Sequence, residues 1–120
     1  MEEPSSLEIV IRFLDLVNLG NLEGLQSLIS DDVVFTDIQG RVYRKPEFMA
    51  EYLKSFPEYQ IHLHHALVGG EGVAIIGQTT GSHVPPEIEK SEILVWTVEV
   101  QDGLISEWRI YSTEGYAMRS

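Results

Sequence analysis

Between residues 5 and 56 apolar side chains recur mostly at helical spacing, whereas from residue 59 onward the chain turns to short runs of β-branched and aromatic residues divided by glycine and proline. Helices first and strands afterwards, with no alternation of strand and helix, restrict the chain to an α+β domain with helices covering one face of a sheet. In SSLEIVIRFLDLVNLG, Ser5 stands three residues before Glu8, the spacing of a capping box. Leu7, Val10, Ile11, Leu14 and Val17 then share one helical face, and Gly20 supplies a stop. Asn21 opens a second, shorter helix carrying Leu22, Leu25 and Leu28. Around Gly40, DDVVFTDIQGRVYR reads as two short strands and a turn, and Pro46 opens a third helix that ends near Phe56 and Pro57. Segments 59–68, 72–83, 88–101 and 104–114, separated by GGEG, VPPE and QDG, form an antiparallel meander.

A length of 120 residues suits one domain spanning residues 1–120, with a single core. Nineteen acidic against eight basic residues give a net charge of −11, which repels phosphate backbones and anionic lipid, so neither nucleic acid nor a membrane surface is an expected partner. The absence of cysteine excludes disulfides, thiolate metal sites and thiol nucleophiles. The acidic N-terminus lacks the basic start of a secretory signal, and no apolar run reaches membrane-spanning length, so a cytoplasmic protein is expected.

Strand parity sorts the candidate functional residues. In YQIHLHHAL, Ile61, Leu63, His65 and Leu67 share one face, and His62 and His64 the other, so the three histidines do not converge on a metal unless a bulge intervenes. His65 is thereby expected to face the interior, and no metal is assigned. Taking Ala74 and Ile76 as inward in VAIIGQTTGSH sends Gln78 and Thr80 to the same side. In EILVWTVEV the even residues Leu94, Trp96, Val98 and Val100 face the core, and in LISEWRIYS Trp108, Ile110 and Ser112 share a face. Ile93 and Val95 leave the outer face partly apolar, which suggests a homodimer through that face.

Three phrases in this order, VIRFLDLVNLGNLEGLQSLISDDVVFTD, GGEGVAIIGQTTGSHVPP and VEVQDGLISEWRIYS, resemble the nuclear transport factor 2-like superfamily, in particular its SnoaL-like branch. The resemblance covers nearly the whole chain. It implies three N-terminal helices packed on a strongly curved, mostly antiparallel mixed sheet that forms a cone with an internal pocket. The same fold carries ketosteroid isomerases, polyketide cyclases, epoxide hydrolases and proteins that bind without catalysis. Asp37 in FTDIQG is similar to the general base of the isomerases, a carboxylate that shuttles a proton from an apolar cavity. Its alternative is an ordinary aspartate capping the turn before Gly40.

Where those isomerases carry a tyrosine donor this chain has Phe13, and where they carry a protonated aspartate it has Trp96, which argues against steroid isomerisation by that route. Ile110 stands where the epoxide hydrolases have an aspartate, and an isoleucine activates no water. The expected pocket therefore holds Asp37 and His65 as an acid/base pair, with Phe13, Phe35, Gln78, Thr80, Trp96, Trp108, Ile110 and Ser112 around a small apolar or aromatic molecule. The expected function is a cofactor-independent isomerase, cyclase or hydratase. Its alternatives are a binding protein without chemistry and a structural dimer.

Overall fold

The computed structural model describes residues 5–70 and 72–112. The first helix, α1 (Ser6–Leu19), begins on the expected capping box: the Glu8 backbone N–H donates to Ser5 Oγ at 3.1 Å and the Ser5 N–H donates to Glu8 Oε1 at 2.8 Å. It ends where Gly20, at a φ of 70°, sends its N–H back to the carbonyls of Leu16 and Val17. Its buried stripe is Ile9, Val10, Phe13, Leu14 and Val17. A short α2 (Leu22–Gln26) capped by Asn21 leads into β1 (Ile29–Thr36), followed by β2 (Val42–Tyr43) and α3 (Phe48–Ser55). The second half supplies β3 (Gln60–Gly69), β4 (Gly72–Thr80), α4 (Pro86–Glu89), β5 (Leu94–Gln101) and β6 (Leu104–Ser112). Residues 113 and 114 of the expected last strand, and the acidic start at residues 1–4, lie outside the described residues.

The strands form one sheet in the order β2-β1-β6-β5-β4-β3, with β1 and β6 parallel and every other pair antiparallel. β2 and β3 are its two edges, and the sheet is neither closed nor strongly curled. This corrects the expected cone. The edge strand β2 has two residues and cannot extend the sheet around to β3. The helical side of the sheet is filled by the chain's own side chains: Val10, Phe13, Phe35, Trp96 and Val98 are at most 1% exposed.

A fourth helix is the second correction. Pro86 falls in the first turn of α4, where a missing N–H costs nothing, so the expected strand at 88–101 begins only at Leu94.

Bulges set the facing of two strands. β3 gains one residue at His64 against β4, and β6 gains one at Ser106 against β5. Opposite the first bulge, Gly77 lies so close to the His62 carbonyl that a Cβ there would collide with backbone. The edge strand β3 is tied to α1 by Asn18, whose amide donates to the Ile61 carbonyl at 2.9 Å and accepts from the Ile61 N–H at 2.7 Å. One amide thus takes the place of a missing neighbouring strand. Among the described residues no helix is long and apolar enough to cross a membrane.

Candidate functional site

On β5 the burial alternates as its sequence implies: Leu94, Trp96, Val98 and Val100 lie under the helices. Cross-strand register then brings Ser112 opposite Leu94, Ile110 opposite Trp96 and Trp108 opposite Val98. Phe35 of β1 pairs with Trp108 from the other side. From above, Phe13 of α1 meets Trp108 with ring centroids 5.0 Å apart, and Trp96 lies 6.4 Å from Trp108. Phe13, Phe35, Trp96, Trp108, Ile110 and Ser112 are therefore gathered on one inner wall. Ile110 alone among them is only half-buried, packed against that core.

Two buried side-chain polar atoms have no hydrogen-bond partner among the described residues, Gln26 Oε1 and Trp96 Nε1. Gln26 is still held through its other amide atom, which donates to the Pro46 carbonyl at 2.8 Å. Trp96 has only the one polar atom, and it is fully buried. An indole N–H without an acceptor costs about 1–3 kcal/mol relative to a satisfied one. Ser112, by contrast, donates to Glu92 Oε2 at 3.2 Å.

Asp37, just beyond β1, is occupied by its own turn. Its Oδ1 accepts from the N–H groups of Gln39 and Arg41, both at 2.9 Å, while its main chain bonds Arg41 and Gly40. Its Oδ2 accepts from the Tyr43 hydroxyl at 3.3 Å, and Tyr43 stacks on Phe48 at 4.5 Å. This is the geometry of an aspartate that caps a turn.

His65, Gln78 and Thr80 are on the opposite side from that wall. Because His64 is the extra residue of the bulge, His65 pairs with Ile76 and is exposed on the outer face. β4 buries Val73, Ile75 and Thr79, the parity opposite to the expected one. Gln78 instead donates to the Lys90 carbonyl at 3.1 Å, and Thr80 bonds His62 Nε2 at 2.9 Å. Three strands separate β1 from β3, about 19 Å at the usual spacing, so Asp37 and His65 are not brought together as a pair. Among the described residues no group of three His, Asp or Glu side chains is placed to hold a metal.

One polar cluster has no signal in the periodicity. Glu89 is 6% exposed and accepts from Thr79 Oγ1 at 2.7 Å and from the Ser82 N–H at 3.2 Å. Beside it, Tyr52 bonds His83 Nδ1 at 2.8 Å and accepts from the His83 N–H at 3.1 Å. Burial, and to a smaller degree the Glu89 charge, raises the pKa of Tyr52, and burial raises that of Tyr59 further still. Both phenols are thus held neutral when folded. A raised folded-state pKa means the native state keeps protons that the unfolded state loses above pH 10.0, so stability should fall as pH rises past that point. Urea melts at pH 9, 10 and 11 should show a loss approaching 1.4 kcal/mol per pH unit from Tyr59, which the Tyr59→Phe variant removes.

A family model for the SnoaL-like domain matches residues 10–108. The chain belongs to the SnoaL-like family. Solved structures agree on the fold of this SnoaL-like domain. An NTF2-like protein of Cytophaga hutchinsonii superposes with a TM-score of 0.78 at 13% identity, covering 99% of this chain and 100% of that one. A cystatin fold protein of Novosphingobium aromaticivorans gives 0.73 at 17% identity, over 90% and 98% of the two chains. An epoxide hydrolase of M. tuberculosis gives 0.72 at 17% identity, over 94% and 85%. No curated protein matches the sequence.

Proposed function

We propose that this SnoaL-like domain binds a small, mostly apolar molecule on its helix-facing wall, with a hydrogen-bond acceptor meeting the Trp96 indole N–H. The unpartnered Trp96 Nε1 is the observation that carries the reading. A native core seldom leaves a donor orphaned, and a ligand carbonyl or ether oxygen would satisfy it. Phe13, Phe35 and Trp108 supply apolar surface, and the half-buried Ile110 marks the side of approach. The test is a titration with neutral ketones of increasing size, 2-cyclohexenone, 1-tetralone and 2-decalone. Trp96→Phe should weaken binding about tenfold, the worth of one hydrogen bond of about 1.4 kcal/mol. Equal affinity for the variant would remove the indole from the reading.

A second reading, a cofactor-independent isomerase, cyclase or hydratase with Asp37 as base, draws support from one observation. Among the described residues Asp37 Oδ2 takes only the 3.3 Å hydrogen bond from Tyr43. The Asp37→Asn variant separates the two readings in the same titration. Binding alone predicts unchanged ketone affinity and no turnover in either protein; a base at Asp37 predicts substrate turnover that the variant loses.

The outer face is proposed to pair two copies. His65, Ile76, Val95 and Tyr111 form one row across it, and none of the four is buried. Light scattering should give twice the monomer mass, returning to 13.6 kDa in Val95→Arg. A monomer at all concentrations would exclude it.

A further inference from the structure

The inner wall ends on a charge. Its last row pairs Leu94 with Ser112 and lies one same-face step, about 7 Å along the strands, from the row of Trp96 and Ile110. Ser112 is 2% exposed and its hydroxyl donates to Glu92 Oε2 at 3.2 Å, so a carboxylate from the segment between α4 and β5 lies against the row next to Trp96. Glu92 stands two residues before Leu94, in the parity that β5 turns towards the helices.

Glu92 is itself half-buried. Among the described residues no cationic side chain pairs with it, and its Oε1 takes no hydrogen bond. A carboxylate partly withdrawn from water attracts a counter-charge more strongly than one on the open surface, and a charge-assisted hydrogen bond is stronger than a neutral one. The wall therefore carries two unlike polar groups one step apart: a fully buried indole N–H without an acceptor at Trp96, and a carboxylate oxygen without a donor at Glu92. Their complement is a molecule with an acceptor at one end and a charged donor at the other.

We propose that Glu92 is a specificity-determining residue of the Trp96 wall, and that it restricts the ligand class to compact ketones with an ammonium group at the end remote from the carbonyl. The inference rests on ketone binding at Trp96. A single six-membered ring with substituents at opposite ends spans the step between the two rows, its carbonyl on the Trp96 N–H and its ammonium on Glu92 Oε1. Charge selects the occupant: an acid would meet Glu92 with like charge, and a purely apolar ketone would take water from that carboxylate and give it no partner.

The test is a calorimetric titration of the full chain near neutral pH and at constant ionic strength. Its probes are 4-(dimethylamino)cyclohexanone, the uncharged isostere 4-isopropylcyclohexanone, and N,N-dimethylcyclohexylamine, which keeps the charge and lacks the carbonyl. The aminoketone should bind at least about tenfold more tightly than either of the others. Glu92→Gln, whose amide oxygen can still accept the Ser112 hydroxyl, should bring the aminoketone down to the affinity of its isostere. Glu23→Gln, which removes an exposed carboxylate on α2, should not. The probe comparison on the native protein reads the selectivity whatever the stability of the variants. Equal losses in the two variants would reduce the effect to attraction by the net charge and overturn the proposal. Equal affinity for the aminoketone and its isostere would overturn it as well, while ketone binding that Trp96→Phe weakens would still stand. Failure of the underlying reading has a different signature: Trp96→Phe binds both ketones as tightly as the native protein, and the amine alone matches the aminoketone, which overturns both.

Discussion

Gly81→Ala should be among the most destabilising single-methyl changes in this domain, lowering unfolding free energy by roughly 3–5 kcal/mol. Two effects coincide there. Gly81 has a φ of 75°, a conformation that costs a side chain about 1–3 kcal/mol. A Cβ in that position would also collide with the backbone carbonyl of Glu58 and reach the Tyr59 N at 2.9 Å, and no rotamer change relieves a backbone clash. The contrast is Gly20, whose φ of 70° is almost the same but whose Cβ would meet nothing within 4 Å. Gly20→Ala should cost only about 1 kcal/mol. Urea denaturation of the pair separates backbone strain from collision. Equal losses would mean that the approach of the β4–α4 loop to Tyr59 is looser than described.

Phe13→Ala should cost about 3–5 kcal/mol. Phe13 has no exposed surface, lies in the middle of the buried stripe of α1, and is the side chain by which that helix meets Trp108. Truncation leaves a void between helix and sheet that neighbours fixed in two different elements cannot close. The same void widens the apolar wall. If that wall takes a ligand, Phe13→Ala should bind a larger ketone such as 2-decalone at least as well as the native protein despite its lower stability. Calorimetric unfolding with and without the ketone reads both effects, since a ligand that binds only the folded state raises its melting temperature.

The legible parts of this molecule are those where one periodic signal has no competitor. α1 carries a capping box, an apolar stripe and a terminal glycine that agree with one another, and it folds as they imply. On β5 and β6 the inward faces follow from sequence because one parity is clearly more apolar, which is how Trp96, Trp108, Ile110 and Ser112 come to share a wall. β4 offers no such choice. Val73 and Ile75 on one parity compete with Ala74 and Ile76 on the other, and only its register against Trp96 and Val98 decides for the odd residues. Gln78 and Thr80 follow the even residues to the outer side.

His65 fails for a different reason. A single extra residue at His64 reverses the facing of everything after it on β3, and the only sequence mark of that bulge is Gly77 on the neighbouring strand. In the sequence Glu89 falls within the expected strand at 88–101, where nothing marks it for burial. Its burial arises because α4 folds it back against Thr79 and Ser82, contacts made by hydrogen bonds and not by periodicity. The cone implied by resemblance also goes beyond what local patterns encode, since strand order and bulges bend a sheet only as far as its edges and its filled interior allow.

The most direct test of ligand binding at the inner wall is the indole N–H resonance of Trp96, assigned by comparison with Trp96→Phe and followed during the ketone titration. A hydrogen bond formed to an otherwise unpartnered donor should move that proton downfield by several tenths of a ppm at saturation and slow its exchange with water, while the Trp108 indole moves less. A Trp96 resonance that stays in place while a ketone saturates the protein, or throughout the whole series, would contradict the account.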